Sequence, residues 1–423
     1  MNTNNKQQNF LAPFITMVVL FFFVGFLTCI NQQFQGPIKK VFLDDPSLQN
    51  IKFTLGTIII FSWFLAYPLT GNVGSNWVSK YGYKGTMIRA LIVLAVGLGI
   101  FTLSAWYEVY QHTRVDIAGY SIPLAYFIFI VGSYVAGAGV TIMQVVINPY
   151  LVASAVKGTS GIQRQNIGGS ANSIGTTIAP LFLTYVVFGG LATEDITVNQ
   201  VIWPFAILTL VILVVSFIVS KLNLPSIPNT ANEAGEKLPK SIWSFRHVTL
   251  GVVALFFYVG VEVSVGTYVV DFAKSLGGSF ALNATLMASL YWGAMLVGRL
   301  VGSSLSKVSA RTQLVYTSIA AAALCLVAAV LVNPWVLVAM GLVHSIMWSA
   351  IFTLAIDGLG KYTSKASGVL MIGVLGGGVI PLVQSMMADY FGGYHLTWYF
   401  IVICECYLIF YGIAGSRHKQ LDV

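Results

Sequence analysis

SNWVSKYGYKG, from Ser75 to Gly85, is a short polar segment between two long apolar runs, roughly 53–73 and roughly 84–106. Each run is long enough to cross a bilayer, since a helical span needs about 20 apolar residues. The segment between them is too short to be anything but a turn, and it concentrates Lys80 and Lys84 at the point where the chain reverses. A charged turn between two apolar helices is the unit from which this sequence is assembled.

Working outward, the same alternation fills the chain. Of 423 residues, 57% are hydrophobic and only 9% charged, a composition that cannot dress a water-exposed surface. Spans are predicted at roughly 12–40, 53–73, 84–106, 122–150, 164–190 and 200–221, and then at roughly 246–273, 281–303, 311–331, 334–357, 365–388 and 394–415. Between the two sets lies a polar stretch with Pro225, Pro228, Asn229, Asn232, Glu233, Glu236 and Lys237. The expected organisation is therefore an all-α membrane protein of twelve transmembrane helices: a six-helix half at 1–221, a central loop at 222–245 and a second half at 246–423. The first apolar run is too long for a signal-peptide core and reads as a span.

Charge sets the expected orientation. Of the 22 Lys and Arg, only Lys39, Lys40, Lys52, Arg114 and Lys274 fall on one side of the predicted spans; the others, Lys80, Lys84, Arg89, Lys157, Arg299, Lys307 and Arg311 among them, fall on the opposite side. Basic residues concentrate in cytoplasmic loops, so both termini are expected in the cytoplasm. The net charge of +8 then has a topological origin, and no nucleic-acid partner is implied. Cys29, Cys325, Cys404 and Cys406 all fall inside spans, without metal-ligand spacing, so no metal, disulfide or cofactor is expected.

The turn at Ser75 has an echo. GSSLSKVSART from Gly302 follows the eighth predicted span as SNWVSKYGYKG follows the second, and SIGTTIAPLF from Ser173 corresponds to VLGGGVIPLV from Val374. Transporters are commonly built from such internal repeats, with the substrate site between them. Ser79-Lys80-Tyr81-Gly82-Tyr83-Lys84 resembles the loop motif of the major facilitator superfamily, G-x-x-x-D-R-x-G-R-R. Ser79 stands where that motif has an aspartate.

Longer strings resemble the fucose, glucose and galactose permeases of bacteria: GFLTCINQQFQGPIKKVF from Gly25, QVVINPY from Gln144, NSIGTTIAPLF from Asn172, FFYVGVEVSVGTY from Phe256, YWGAMLVGR from Tyr291, IFTLAIDGLGK from Ile351 and IPLVQSMMAD from Ile380. The resemblance implies uptake of a monosaccharide across a bacterial inner membrane by alternating access, coupled to protons, by a monomer needing only sugar, ion and lipid as partners. It also exposes a departure. Where the fucose permease has a first-span aspartate and a fourth-span glutamate tied to coupling and sugar binding, this chain has Gln32 and Gln144, which cannot titrate.

The residues themselves suggest where a polar substrate binds. Amides offer both donors and acceptors, which suits a polyhydroxylated sugar; Asn31 and Gln32 in the first span, Gln144 in the fourth and Asn172 in the fifth are the candidates, with interhelical bonding as the alternative use of each. Asn148, beside Pro149, is expected to satisfy a disturbed turn. Two acidic residues lie deep in spans, Glu262 and Glu405, each costing about 2.5–3.5 kcal/mol if charged in lipid. Glu262 is expected to bind sugar, to carry the coupling proton, or both; Glu405 has no evident task. Tyr258, Trp292 and Trp348 offer flat rings to the C–H faces of a sugar, Gln384 adds an amide, and His344 is either a proton carrier or a structural residue. Trp77, Trp106, Trp203, Trp335 and Trp398 are expected as interface anchors.

Enzyme chemistry finds no support, since nucleotide loops, metal spacing and nucleophile–base pairs are all missing from the sequence. The remaining alternatives are a facilitative sugar uniporter without ion coupling, sodium in place of protons, and an exporter of amphipathic compounds on the same fold.

Overall fold

The computed structural model of the chain describes residues 11–154, 156–159, 161–191, 195–225, 240–303, 308–359 and 362–417. Ser306 and Lys307 of the second basic turn, and most of the central loop, including Pro228, Asn229, Asn232, Glu233, Glu236 and Lys237, lie outside them.

The chain begins with α1 (Leu11–Gln33), apolar on every side until it reaches its amides, and continues through the short α2 (Gln35–Val41). Helix α3 (Lys52–Gln111) has 60 residues. At about 1.5 Å per residue a straight helix of that length would be three bilayers long. It turns instead at Gly82, whose φ of 67° is left-handed and is open to glycine at little cost. The polar segment at Ser75 to Gly85 is thus the reversal between two crossings. Among the described residues, ten helical stretches are long and apolar enough to span a membrane. One of them makes two crossings through Gly82, and α5 (Gly161–Leu181), too rich in Gly, Ser and Asn to count by hydropathy, supplies the twelfth.

Between α3 and α4 (Leu124–Ala153), in the connection between the third and fourth predicted spans, the structure has a hairpin of β1 (Arg114–Ile117) and β2 (Tyr120–Pro123), paired antiparallel. Ala118 and Gly119 at its tip both have positive φ, 51° and 84°, the twist a two-residue hairpin turn requires. Helix α6 (Asn199–Lys221) closes the N-terminal set.

The C-terminal set runs α7 (Arg246–Leu276), α8 (Gly278–Leu282), α9 (Ala284–Ser303) and α10 (Ala310–Leu331), then α11 (Pro334–His344) and α12 (Met347–Ile356), and finally α13 (Thr363–Leu370), α14 (Gly376–Phe391) and α15 (Trp398–Phe410). Local chemistry starts two of these helices: Ser309 accepts from Thr312 N–H at the head of α10, and Asn333 accepts from Trp335 N–H at the head of α11, with Pro334 as first helical residue. The tenth span, expected to be continuous, breaks after His344. The eleventh is likewise divided by a 3-10 turn at Met371–Leu375.

Small residues let helices meet at backbone distance. A Cβ on Gly175 of α5 would collide with the Phe22 carbonyl of α1, and one on Gly376 of α14 with the Phe256 carbonyl of α7. Between the two sets, α5 lies along α9 and α3 along α14. Ser289 donates to the Thr177 carbonyl at 2.8 Å, and Phe61 and Phe64 lie against Gly378 and Gly377.

At one face of the molecule the sets are stitched by polar bonds. Lys39 of α2 pairs with Asp271 of α7 at 2.6 Å. Asp389 of α14 accepts from the Phe53 and Thr54 N–H groups at 2.9 and 2.7 Å, capping the start of α3 from across the interface. Thr57 bonds both Tyr268, at 2.6 Å, and Ser385, at 2.5 Å. Gln33 donates to the Gly266 carbonyl at 2.9 Å. This end is closed by side chains that have each found a partner on the other set. Trp398, expected near a membrane surface, is instead fully buried against Phe272, while Trp203 is 71% exposed.

Candidate functional site

Behind that closed face, polar groups line the middle of the helices. In the N-terminal set Gln144 of α4 donates to the Tyr67 hydroxyl of α3 at 2.6 Å, and both are only half-buried. Tyr67 also stacks on Phe64. An amide bonded to a phenol with a free ring face beside it is a surface suited to hydroxyls and C–H groups together.

The other amides have more structural employment. Asn31 donates to Ser133 of α4 at 3.1 Å, and Ser133 donates onward to the Ile59 carbonyl of α3. Asn172 donates to the Phe21 carbonyl of α1 at 3.1 Å. Asn148 accepts from Gln165, tying α4 to α5 beside Pro149. Yet Asn31 Oδ1 and the Oε1 of the buried Gln32 have no protein partner, so each retains an acceptor for something else. Gln384 is fully buried and donates to Thr397 at 3.0 Å near the closed face, with its own Oε1 unpartnered.

In the C-terminal set the site is ionic. Glu262, half-buried at the middle of α7, stands one turn after Tyr258, the spacing that puts both on one helix face. Arg299 of α9 supplies a positive charge near it. Tyr258 donates to the His344 carbonyl at 3.0 Å. That carbonyl is free because the helix breaks after His344, so the break and the bond explain one another. The Tyr258 and Trp348 rings lie 6.3 Å apart, tilted by 59°, and Trp348 is half-buried. Trp292 is buried against Gly266 and Tyr291, its Nε1–H unpartnered.

Glu405, for which the sequence offered no task, is fully buried and meets His344 Nε2 at 2.8 Å. The other imidazole nitrogen, Nδ1, meets the Tyr291 hydroxyl at 2.8 Å, and Tyr291 also donates to the Glu262 carbonyl at 3.2 Å. A continuous chain therefore runs from α15 through α11 and α9 to α7. The structure thus brings Tyr258, Glu262 and Trp348 together with His344, sets Gln144 on the opposing set, and leaves Gln384 apart from both. Tyr67, Ser133, Tyr291 and Arg299 escaped the sequence reading. Arg299 was counted with the loop cations, but it is half-buried inside α9 and donates to Ser173 Oγ and the Gly169 carbonyl of α5.

Twelve membrane-crossing helices, two sets meeting along polar seams and buried ionisable groups at mid-depth define a multi-pass membrane transporter. The chain belongs to the major facilitator superfamily, whose family profile matches residues 10–381. It belongs to the same family as the glucose/galactose transporter of Brucella abortus, 31% identical over 98% of this chain and 96% of the relative. A putative glucose/galactose transporter of Helicobacter pylori is 27% identical over 98% and 99%. The L-fucose-proton symporter of Escherichia coli is 22% identical over 91% and 88%. The solved structure of an outward-facing fucose transporter of the superfamily matches with a TM-score of 0.66 at 20% identity, covering 97% of this chain and all of that one. The inward-open xylose transporter of Escherichia coli matches with 0.73 at 12%, covering 98% of each.

Proposed function

We propose that the protein imports a hexose of the glucose, galactose, fucose or mannose type, or an N-acetylated hexosamine, through a bacterial inner membrane, coupled to a cation and most simply to the proton. The sets α1–α6 and α7–α15 act as two six-helix halves, 1–221 and 246–423, joined by a cytoplasmic loop at 222–245, with both termini in the cytoplasm. The names of the relatives support a sugar as substrate. The observation that carries the reading is the half-buried Glu262, one turn from Tyr258, whose ring lies near Trp348, while the N-terminal set holds the bonded amide and phenol of Gln144 and Tyr67. A carboxylate held in the membrane among aromatic rings has the chemistry to hold a sugar hydroxyl and to gain and lose a proton.

With this orientation the closed face, bearing Lys39, Asp271 and Asp389, looks outward, and the state described is the one sealed against the exterior. Sugar ligands are Gln144, Glu262, Tyr258 and Trp348, with Asn31, Gln32, Asn172 and Trp292 lending their unused polar atoms or surfaces and Gln384 the most remote. The protein works as a monomer surrounded by lipid.

Uptake of radiolabelled glucose and galactose into proteoliposomes, with and without an imposed pH gradient, tests the reading. Accumulation above equilibrium with an inward proton gradient is expected, and its loss in Glu262→Gln. Equal filling in both conditions favours the uniporter, a reading to which the two glutamines at positions 32 and 144 lend weight; accumulation that follows sodium points to the other ion. Failure to take up any hexose rejects sugar import.

A further inference from the structure

Glu262 is not the only ionisable group enclosed by the C-terminal helices. Behind it, His344 and Glu405 are both fully excluded from solvent, and the protons on their hydrogen bonds can be counted. Tyr291 has one phenolic proton and two partners, the Glu262 carbonyl and His344 Nδ1. A carbonyl only accepts, so when both bonds are made that proton lies toward Glu262, and Nδ1 must itself carry the hydrogen it gives to Tyr291. The 2.8 Å contact between His344 Nε2 and Glu405 Oε1 needs one proton more. The pair then bears no net charge, whether that proton rests on nitrogen or on oxygen, as a dry setting favours.

Remove one proton and the arrangement cannot persist. Glu405 is then a carboxylate, which requires the remaining imidazole hydrogen on Nε2; Nδ1 becomes the acceptor of a hydrogen bond from the Tyr291 hydroxyl, which keeps its proton, and the bond from Tyr291 to the Glu262 carbonyl is lost. Rebinding reverses each step: one proton joins the pair, Nδ1–H again donates to Tyr291, whose hydroxyl turns back to the Glu262 carbonyl, and one unit of negative charge is removed. Among the described residues Glu405 Oε2 has no hydrogen-bond partner, so His344 is the polar group that holds the carboxyl here.

We propose that the pair His344–Glu405 is a proton-binding site distinct from Glu262, and that Tyr291 converts its occupancy into the making or breaking of a bond to the backbone of α7 at Glu262. The ionisable groups around the pair are Tyr258 and Glu262 on α7, Tyr291 and Arg299 on α9, Cys325 on α10 and Cys404 on α15. Arg299 is the only cation among them. The pair stands where α15 and α11 meet the back of the site, so a proton held there is shielded from the sugar. Its role in coupling rests on the transport reading above, but proton binding itself does not.

Nitrogen-15 magnetic resonance of imidazole-labelled protein in lipid, without sugar, tests the site directly, because the tautomers and the imidazolium have different shifts. Replacing His112, His247, His395 and His418 by Gln leaves His344 as the single signal; subtraction of a His344→Gln spectrum serves if that variant does not fold. Between about pH 5 and about pH 9 the signal is expected to pass from a form protonated on Nδ1 to the Nε2–H tautomer, and Tyr291→Phe, which removes one hydroxyl, to displace the midpoint. A His344 that keeps one tautomer throughout overturns the proposal, as does a Tyr291→Phe midpoint equal to that of the unsubstituted protein. Either failure leaves hexose import standing; a protein that titrates at His344 but transports no hexose instead defeats the reading of its function.

Discussion

The two helix sets furnish their interiors with different chemistry. On α1–α6 the polar groups at mid-depth are amides and hydroxyls: Gln144 with Tyr67, Asn31 with Ser133, Asn172 with a carbonyl. On α7–α15 they are ionisable and connected: Glu262, Tyr258, Tyr291, His344 and Glu405, with Arg299 beside them. An amide can bind a hydroxyl but never stores a proton. One set therefore presents amides and the other adds buried ionisable groups, and Lys39, Asp271 and Asp389 bond the two sets together at one face.

The largest blow to this contrast is Glu262→Gln. It removes the half-buried carboxylate, and gradient-driven accumulation in proteoliposomes is expected to fall to simple equilibration. Next is Gln144→Leu, which leaves the Tyr67 hydroxyl without its amide. An unpaired polar contact in a site costs about 1–3 kcal/mol, so KM for the hexose should rise about 5- to 150-fold while the pH dependence of uptake keeps its form. A flattened pH dependence in Gln144→Leu would break the division of labour.

Asn31→Leu probes the structural side of the same amides. Loss of the bond to buried Ser133 is expected to lower stability by about 1–2 kcal/mol, read as a fall in thermal midpoint in detergent. Asp271→Asn removes the charge facing Lys39 across the seam; accessibility of cysteines introduced at the closed face should increase, corresponding to about 1 kcal/mol in favour of the open state.

The smallest effect is at the exposed corner where Asp44 meets Lys40 and Lys52 at 2.6 and 3.0 Å. The hydrogen bonds from Lys40 and then Lys52 hold the Asp44 carboxyl below the ordinary carboxylate value. A lowered folded-state value contributes stability above the unfolded-state titration and loses it as pH falls through the folded one, so the contribution is complete at neutral pH and vanishes only in strong acid. At more than a third exposed, the pair is screened, and Asp44→Asn should cost no more than about 0.5 kcal/mol, checked by thermal melts at pH 7 and pH 3.

What the sequence disclosed and what it withheld follow from distance along the chain. The reversal at Gly82 was legible because its cause is local: glycine and lysines between apolar runs. Glu262 was legible because a carboxylate inside an apolar span is conspicuous wherever it falls. Glu405 was equally conspicuous, but its partner lies 61 residues earlier on another helix, and no periodicity links them. Arg299 misled because its position near a span end suited a loop cation, whereas packing on α5 draws it inward. The hairpin at Arg114–Pro123 was hidden in a short polar connection, and the break after His344 has no proline or glycine to announce it.

The measurement that bears most directly on the division between the two sets is hexose-driven proton movement, followed with a pH-sensitive dye inside proteoliposomes that carry an outside-high hexose gradient and no imposed pH gradient. Protons should enter with the sugar in the unsubstituted protein and in Gln144→Leu once hexose is raised above its KM, and should not enter in Glu262→Gln. Hexose entry without any proton movement in the unsubstituted protein, or proton entry that persists in Glu262→Gln, would contradict a titrating site at Glu262 in the C-terminal set.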